Sequence, residues 1–155
     1  MSRLIKSSLL LALGAILCAG VASAEESSGA AVFAAHCAVC HGPEAAGIPG
    51  TFPSLHEQVV AFAKAPAGRD YLVMVVTTGL MGELKVGGVT YRNVMPAQSG
   101  LTEAEVGAVL TYLASDRGKI ISAPTVTADD VVAVRARHTE RSAQSTYALR
   151  PTLAP

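Results

Sequence analysis

The sequence predicts an all-α chain, and three patterns carry that reading. Between Leu101 and Ser115 the residues Val106, Val109, Leu110 and Leu113 recur at helical spacing as one apolar stripe, with Tyr112 beside it. Thr102 and Glu105 stand ahead of that stripe as a capping box, in which each side chain serves the other's backbone N–H. A second apolar run, Arg69 to Leu80, carries Tyr71, Leu72, Met74, Val75 and Val76. The strand signal is confined to Gly82–Tyr91, where Gly87-Gly88 between Val86 and Val89 suits a small hairpin.

Taken in order, residues 1–24 are expected to be a cleaved export signal. Arg3 and Lys6 give a positive start, Leu9 to Leu17 is an apolar stretch too short to span a membrane, and Ala22-Ser23-Ala24 suits signal peptidase. Leu17 is bulkier than the residue that precedes a lipidated cysteine, which disfavours an anchor at Cys18. Ser27-Ser28-Gly29 leads into a helix over Ala30–His36. Gly29 and Phe33 share a face of it: the glycine lets another helix approach closely and the ring packs beside it. A Gly- and Pro-rich loop follows from Gly42 to Pro53, then a short helix over Glu57–Ala63. After the strong helix, Thr127 to His138 predicts another, with Asp129 and Asp130 early and Arg135 and Arg137 late, as the helix dipole prefers. Thr139 to Pro155 is polar and reads as an extended tail.

Composition bounds the class. Cleavage after Ala24 leaves about 130 residues of the 155, room for one domain (25–117) and a C-terminal extension (118–155). Aromatic residues make up 5 % with no Trp, thin for a small core that must stand alone. Formal net charge is zero and no basic stripe suggests nucleic acid.

The chemistry is concentrated in Cys37-Ala38-Val39-Cys40-His41. Two thiols three positions apart share a helical face and can each add to a vinyl group of one porphyrin, while the adjacent His41 reaches the iron from the same side. This spacing is the attachment signature of a c-type haem. A redox dithiol would want a strand before the motif, and a structural zinc site would want a second Cys/His pair; the sequence offers neither. With no internal repeat, one haem c is expected. Its flat apolar body would also supply what the thin core lacks.

A haem-ligating His needs an acceptor for its second ring nitrogen, and the Pro53 carbonyl lies in a suitable loop, although Pro53 also reads as a simple turn residue. For the opposite face of the iron the candidates are Met74, Met81, Met95, His36, His56 and His138. Met95 stands out because Pro96 stiffens the loop behind it, just before the strong helix. Met74 lies among apolar helical neighbours, where a Met is usually core packing, and Met81 sits in a Gly-rich stretch. His36 points elsewhere on its turn, and His56 and His138 read as exposed polar residues. Tyr91 and Arg92 suit a haem propionate as well as they suit packing and solvent.

With these residues assembled, the chain resembles a class I cytochrome c over residues 28 to 116. The features in common are Gly29 and Phe33, Cys37 to His41, Pro53-Ser54-Leu55, Met95 before the last core helix, and Tyr112 on it. The resemblance implies the all-α class I cytochrome c fold around one haem, with the first and last core helices crossing at Gly29, Phe33 and Tyr112. A narrower similarity, in Gly79-Leu80-Met81-Gly82, Val86-Gly87 and Tyr91, is to small exported cytochromes that serve bacterial dehydrogenases and reductases. Their cores continue into a Val-Thr-x-x-x-Val-x-x-Val-Arg helix, matched here by Val126-Thr127, Val131, Val134 and Arg135. The chain departs from that pattern at Gly118-Lys119, where Gly-Asn is usual.

The expected function is single-electron transfer in the periplasm, not catalysis, with iron ligated by His41 and Met95. The partners expected are redox proteins (a dehydrogenase or reductase, or an oxidase), with no nucleic acid and no stable membrane span. The rival is a haem enzyme or gas-binding protein whose sixth position is open. A third possibility makes the segment after Gly118 a docking element for a dedicated partner.

Overall fold

A computed structural model of the chain describes residues 28–115 and 125–152. The expected export segment, Gly118-Lys119 and the last three residues lie outside that range.

The first helix begins one residue earlier than predicted because the Ser28 hydroxyl accepts the Ala31 N–H at 3.2 Å. It runs as α1 (Gly29–Val32), a widened π-helical turn (Phe33–Cys37) and α2 (Ala38–His41), and Gly42 ends it at φ +74°. Then come α3 (Glu57–Ala63) and α4 (Pro66–Thr78). The latter starts three residues before the predicted Arg69, since Pro66 occupies the first turn, where its missing N–H costs nothing. It stops at Gly79, whose φ of +86° only glycine adopts readily.

The predicted hairpin is present: β1 (Leu84–Val86) pairs antiparallel with β2 (Val89–Tyr91). Gly87 and Gly88 both have positive φ, which a two-residue turn of this twist requires. Helix α5 (Glu103–Ala114) carries both halves of the predicted capping box, with Thr102 N–H donating to Glu105 Oε2 at 2.9 Å. In α6 (Ala128–Arg137) Thr127 and Asp130 build a second such box.

The frame is the crossing of α1 over α5. A Cβ on Gly29 would lie 2.1 Å from the Ala108 carbonyl oxygen, so a glycine is what lets the two helices touch. Phe33 and Tyr112 fill the adjoining space with ring centroids 5.9 Å apart. Around this crossing the core gathers Val73 and Met74 from α4, Val106 and Val109 from α5 and Val131 from α6, all with essentially no exposure. Two charged contacts fasten α6 outside that core: Arg135 to Glu103 at 2.7 Å and Arg137 to Asp70 at 2.8 Å. His138, expected to be an exposed polar residue, joins the second pair through Nε2 at 3.1 Å from Asp70.

The C-terminal segment departs from the extended tail that its composition suggests. Ser142 and Ser145 cap one another and start α7 (Ala143–Ala148). It packs on α4, burying Thr146 completely; the Thr146 hydroxyl bonds the Ser142 carbonyl and so enters the core satisfied. Beyond it, the Arg150 guanidinium lies 5.6 Å from the centre of the Phe62 ring and donates to Gln58 Oε1. Composition missed this because the segment is held by a few specific contacts and lacks a broad apolar face.

Candidate functional site

Three of the sequence-predicted residues sit together at the end of α2. Cys37 and Cys40 are free, half-buried thiols on one helical face, and Cys37 packs against the core. Burial raises the Cys37 thiol above its ordinary range, with the neighbouring Cys40 adding to the effect. The π-helical turn from Phe33 leads into the motif at Cys37, with Phe33 packed against Tyr112 of α5 at one end of it and the first thiol at the other. Such turns recur at functional sites, and nothing in the local composition announced this one.

His41 is 7 % exposed. Its Nδ1–H donates to the Pro53 carbonyl at 2.9 Å, which leaves Nε2 as the nitrogen free to ligate. Burial pushes the imidazole below the usual histidine range and the Pro53 bond opposes this; the shift favours the neutral form that a metal ligand uses. The loop that presents Pro53 is closed by its own backbone. Gly47 N–H bonds the His41 carbonyl at 2.8 Å, Ile48 and Phe52 exchange bonds at 2.7 and 2.8 Å, and Leu55 N–H bonds the Ala45 carbonyl at 2.9 Å. His56, expected to be exposed, is half-buried and gives its Nε2–H to the Glu44 carbonyl. The Phe52 ring stands 6.4 Å from that of His41.

Met95 is half-buried against the core, and its backbone forms a two-bond bridge with Leu80, each bond 2.9 Å long. Gly79 makes this bridge possible, since a Cβ there would lie 2.6 Å from the Met95 carbonyl oxygen. Asn93 clasps the Met95 loop to the loop of His41 by donating to the Thr51 carbonyl at 3.1 Å. The other candidates fall elsewhere. Met74 is fully buried core, Met81 is 42 % exposed, His36 is exposed, and His138 is engaged with Asp70 on α4. Tyr91 packs inside, and Arg92 pairs with Glu83 at 2.7 Å. The roles of Asn93 as a clasp and Leu80 as a bridge were not legible in the sequence, because both depend on partners elsewhere along the chain.

The donor set suits a haem. Two thiols, an imidazole with one nitrogen oriented, and a thioether on an anchored loop are what a covalently attached, axially ligated haem uses. Among the described residues no group of three or more His, Cys, Asp or Glu is placed to hold a bare metal ion.

Helix crossing, attachment motif and ligand loops together define a helical haem protein of electron transport. The chain matches the family model of cbb3-type cytochrome c oxidase subunit III over residues 24–113. It is 36 % identical over 125 residues to a cytochrome c-552 of Thermus thermophilus, covering 79 % of this chain and 83 % of that one. A second cytochrome c-552 from Thermus thermophilus is 36 % identical over 115 residues, covering 72 % of this chain and 87 % of the relative. The chain belongs to this family of class I, monohaem cytochromes c.

Proposed function

We propose that this protein is a periplasmic single-electron carrier, with haem c attached through Cys37 and Cys40 and ligated by His41 and Met95. The observation that carries the proposal is the bond from His41 Nδ1 to the Pro53 carbonyl. It fixes the ring's tautomer and orientation and strengthens the other nitrogen as a donor. Bound at these residues, the haem supplies an iron that takes up and releases one electron at a time, and a thioether ligand raises its potential.

The chain's own residues do the rest. The thiols tether, the closed loop from Gly42 to Leu55 keeps His41 from turning, and the Leu80 bridge keeps Met95 from swinging away. Two ligands held by rigid backbone leave little to reorganise when charge changes, as electron transfer requires. The expected partners are redox proteins, a dehydrogenase or reductase on one side and an oxidase on the other, docking briefly through a small interface. The second partner class is favoured by the cbb3-type oxidase family match. Export rests on Arg3, Lys6, the Leu9–Leu17 stretch and Ala22-Ser23-Ala24. Among the described residues no helix is long and apolar enough to cross a membrane.

Carbon monoxide added to the reduced holoprotein tests the reading. A closed carrier does not bind it readily. Rapid binding, with a five-coordinate spectrum beforehand, would mean an open site and a gas-binding or enzymatic role.

A further inference from the structure

The Met95 side of the site is fastened by a part of the chain that lies outside the haem-bearing core. Leu80, the residue bridged to Met95, is followed by Met81, Gly82 and Glu83, which belong to no helix or strand. The C-terminal segment grips each of these three in turn. Met81 N–H donates to the Ala143 carbonyl at 3.0 Å. The Tyr147 ring lies on Gly82 so closely that a Cβ there would come within 2.4 Å of the ring. The Tyr147 hydroxyl donates to the Glu83 carbonyl at 2.8 Å. Two residues on, Arg150 donates to the Lys85 carbonyl at 3.3 Å.

We infer that α7 is a clamp on the sixth-ligand loop, and that Tyr147 is a positioning residue for Met95; this rests on Met95 being the ligand. The bridge to Leu80 keeps Met95 in place only if Leu80 stays in place. Leu80 is held on one side by the end of α4 at Gly79 and on the other by Met81 to Glu83. A short irregular segment with free backbone groups opens easily. Here the Met81 N–H and the Glu83 carbonyl are bonded to α7, and α7 is itself anchored in the core by Thr146. The clamp therefore lowers the frequency with which the thioether leaves the iron.

The test uses the full-length holoprotein with Tyr147→Ala, Tyr147→Phe and Gly82→Ala, and Val131→Ala as a control in the core beneath α6. Two readouts are taken well below each variant's unfolding temperature: the thioether-to-iron charge-transfer band of the oxidised protein and the rate of carbon monoxide binding to the reduced one. Tyr147→Ala and Gly82→Ala, which attack the same contact from opposite sides, are expected to weaken the band and speed binding about tenfold, equivalent to about 1.4 kcal/mol. Tyr147→Phe keeps the ring on Gly82 and is expected to stay within about threefold of the parent, or about 0.7 kcal/mol. Val131→Ala is expected to lower the unfolding temperature and leave both readouts alone. The inference fails if the two attacking variants behave like the parent, or if the control matches them, since the effect would then be general loosening. A parent that itself lacks the band overturns Met95 ligation, which is a separate failure.

Discussion

The two sides of the proposed iron site are built in opposite ways. On the His41 side, thiols, ligand and hydrogen-bond acceptor all come from one stretch of chain, with His41 and Pro53 only 12 positions apart. On the Met95 side the supports come from everywhere: Leu80 at the end of α4, Thr51 from the opposite loop, and α7 through a bond that spans 64 positions. A local site forms as soon as its own helix and loop form. A site assembled from distant segments exists only when the whole fold does, and it is the first to open when that fold loosens. In the proposed site, retention of the haem would therefore belong to the first side, and control of its sixth position to the second.

The largest expected effect separates the two directly. Replacing both Cys37 and Cys40 by Ala should leave no haem on the polypeptide in a denaturing gel stained for haem. Met95→Ala should leave the haem attached and yield a reduced protein that binds carbon monoxide readily. If the Met95 variant behaved as the parent does, the division of labour would collapse.

Next in size is Gly29→Leu at the crossing that carries the attachment helix. The new side chain meets the Ala108 carbonyl and Tyr112 Cβ, neither free to move, and a loss of about 3 kcal/mol in chemical denaturation is expected.

Alkaline pH should weaken the fold as a whole. Tyr71 is buried beneath Phe62, and burial pushes its phenol up to about 12, with Arg150 opposing. Its folded pKa is raised, so its contribution is fully present below the unfolded value of about 10 and is lost as pH rises from there towards 12. A denaturation midpoint that stays level up to about pH 10 and then falls, with the fall abolished in Tyr71→Phe, is the expected pattern.

Smaller still is Thr102→Ala, which removes the cap of α5 and should cost about 1 kcal/mol in the same measurement. Its partner Glu105 adds an acid counterpart. The backbone and hydroxyl bonds from Thr102 hold this carboxylate below its usual range. Its contribution is present above the ordinary carboxylate pKa and fades as pH falls through the lower folded value. The Thr102 variant should show a shallower acid limb.

Much of the His41 side could be read directly. The Cys37–His41 run and the Thr102–Glu105 box are short-range patterns whose geometry follows from helical periodicity and capping, whereas the crossing at Gly29, Phe33 and Tyr112 came from the resemblance to class I cytochromes c. The Gly87-Gly88 turn was legible for the same reason. The π-helical turn at Phe33–Cys37 was not, because it reflects how two faces of one helix must meet two different neighbours. His56 and His138 were misjudged as exposed because a histidine's neighbours depend on folding: one bonds a carbonyl 12 residues away, the other a carboxylate 68 away. The helix at Ala143–Ala148 was hidden in a stretch with little apolar periodicity.

By itself, then, the sequence determined the attachment chemistry, the helices that present it and the loops that carry both candidate ligands, since each of these is decided within a dozen or so neighbouring residues. Only the tertiary structure decided how Met95 is restrained, because Asn93, Leu80, Ala143 and Tyr147 act on it through backbone bonds and close contact. Hydrogen bonds to carbonyls and N–H groups leave no mark on residue identity, so the sequence offers Met95 as the candidate second ligand without saying what holds it there.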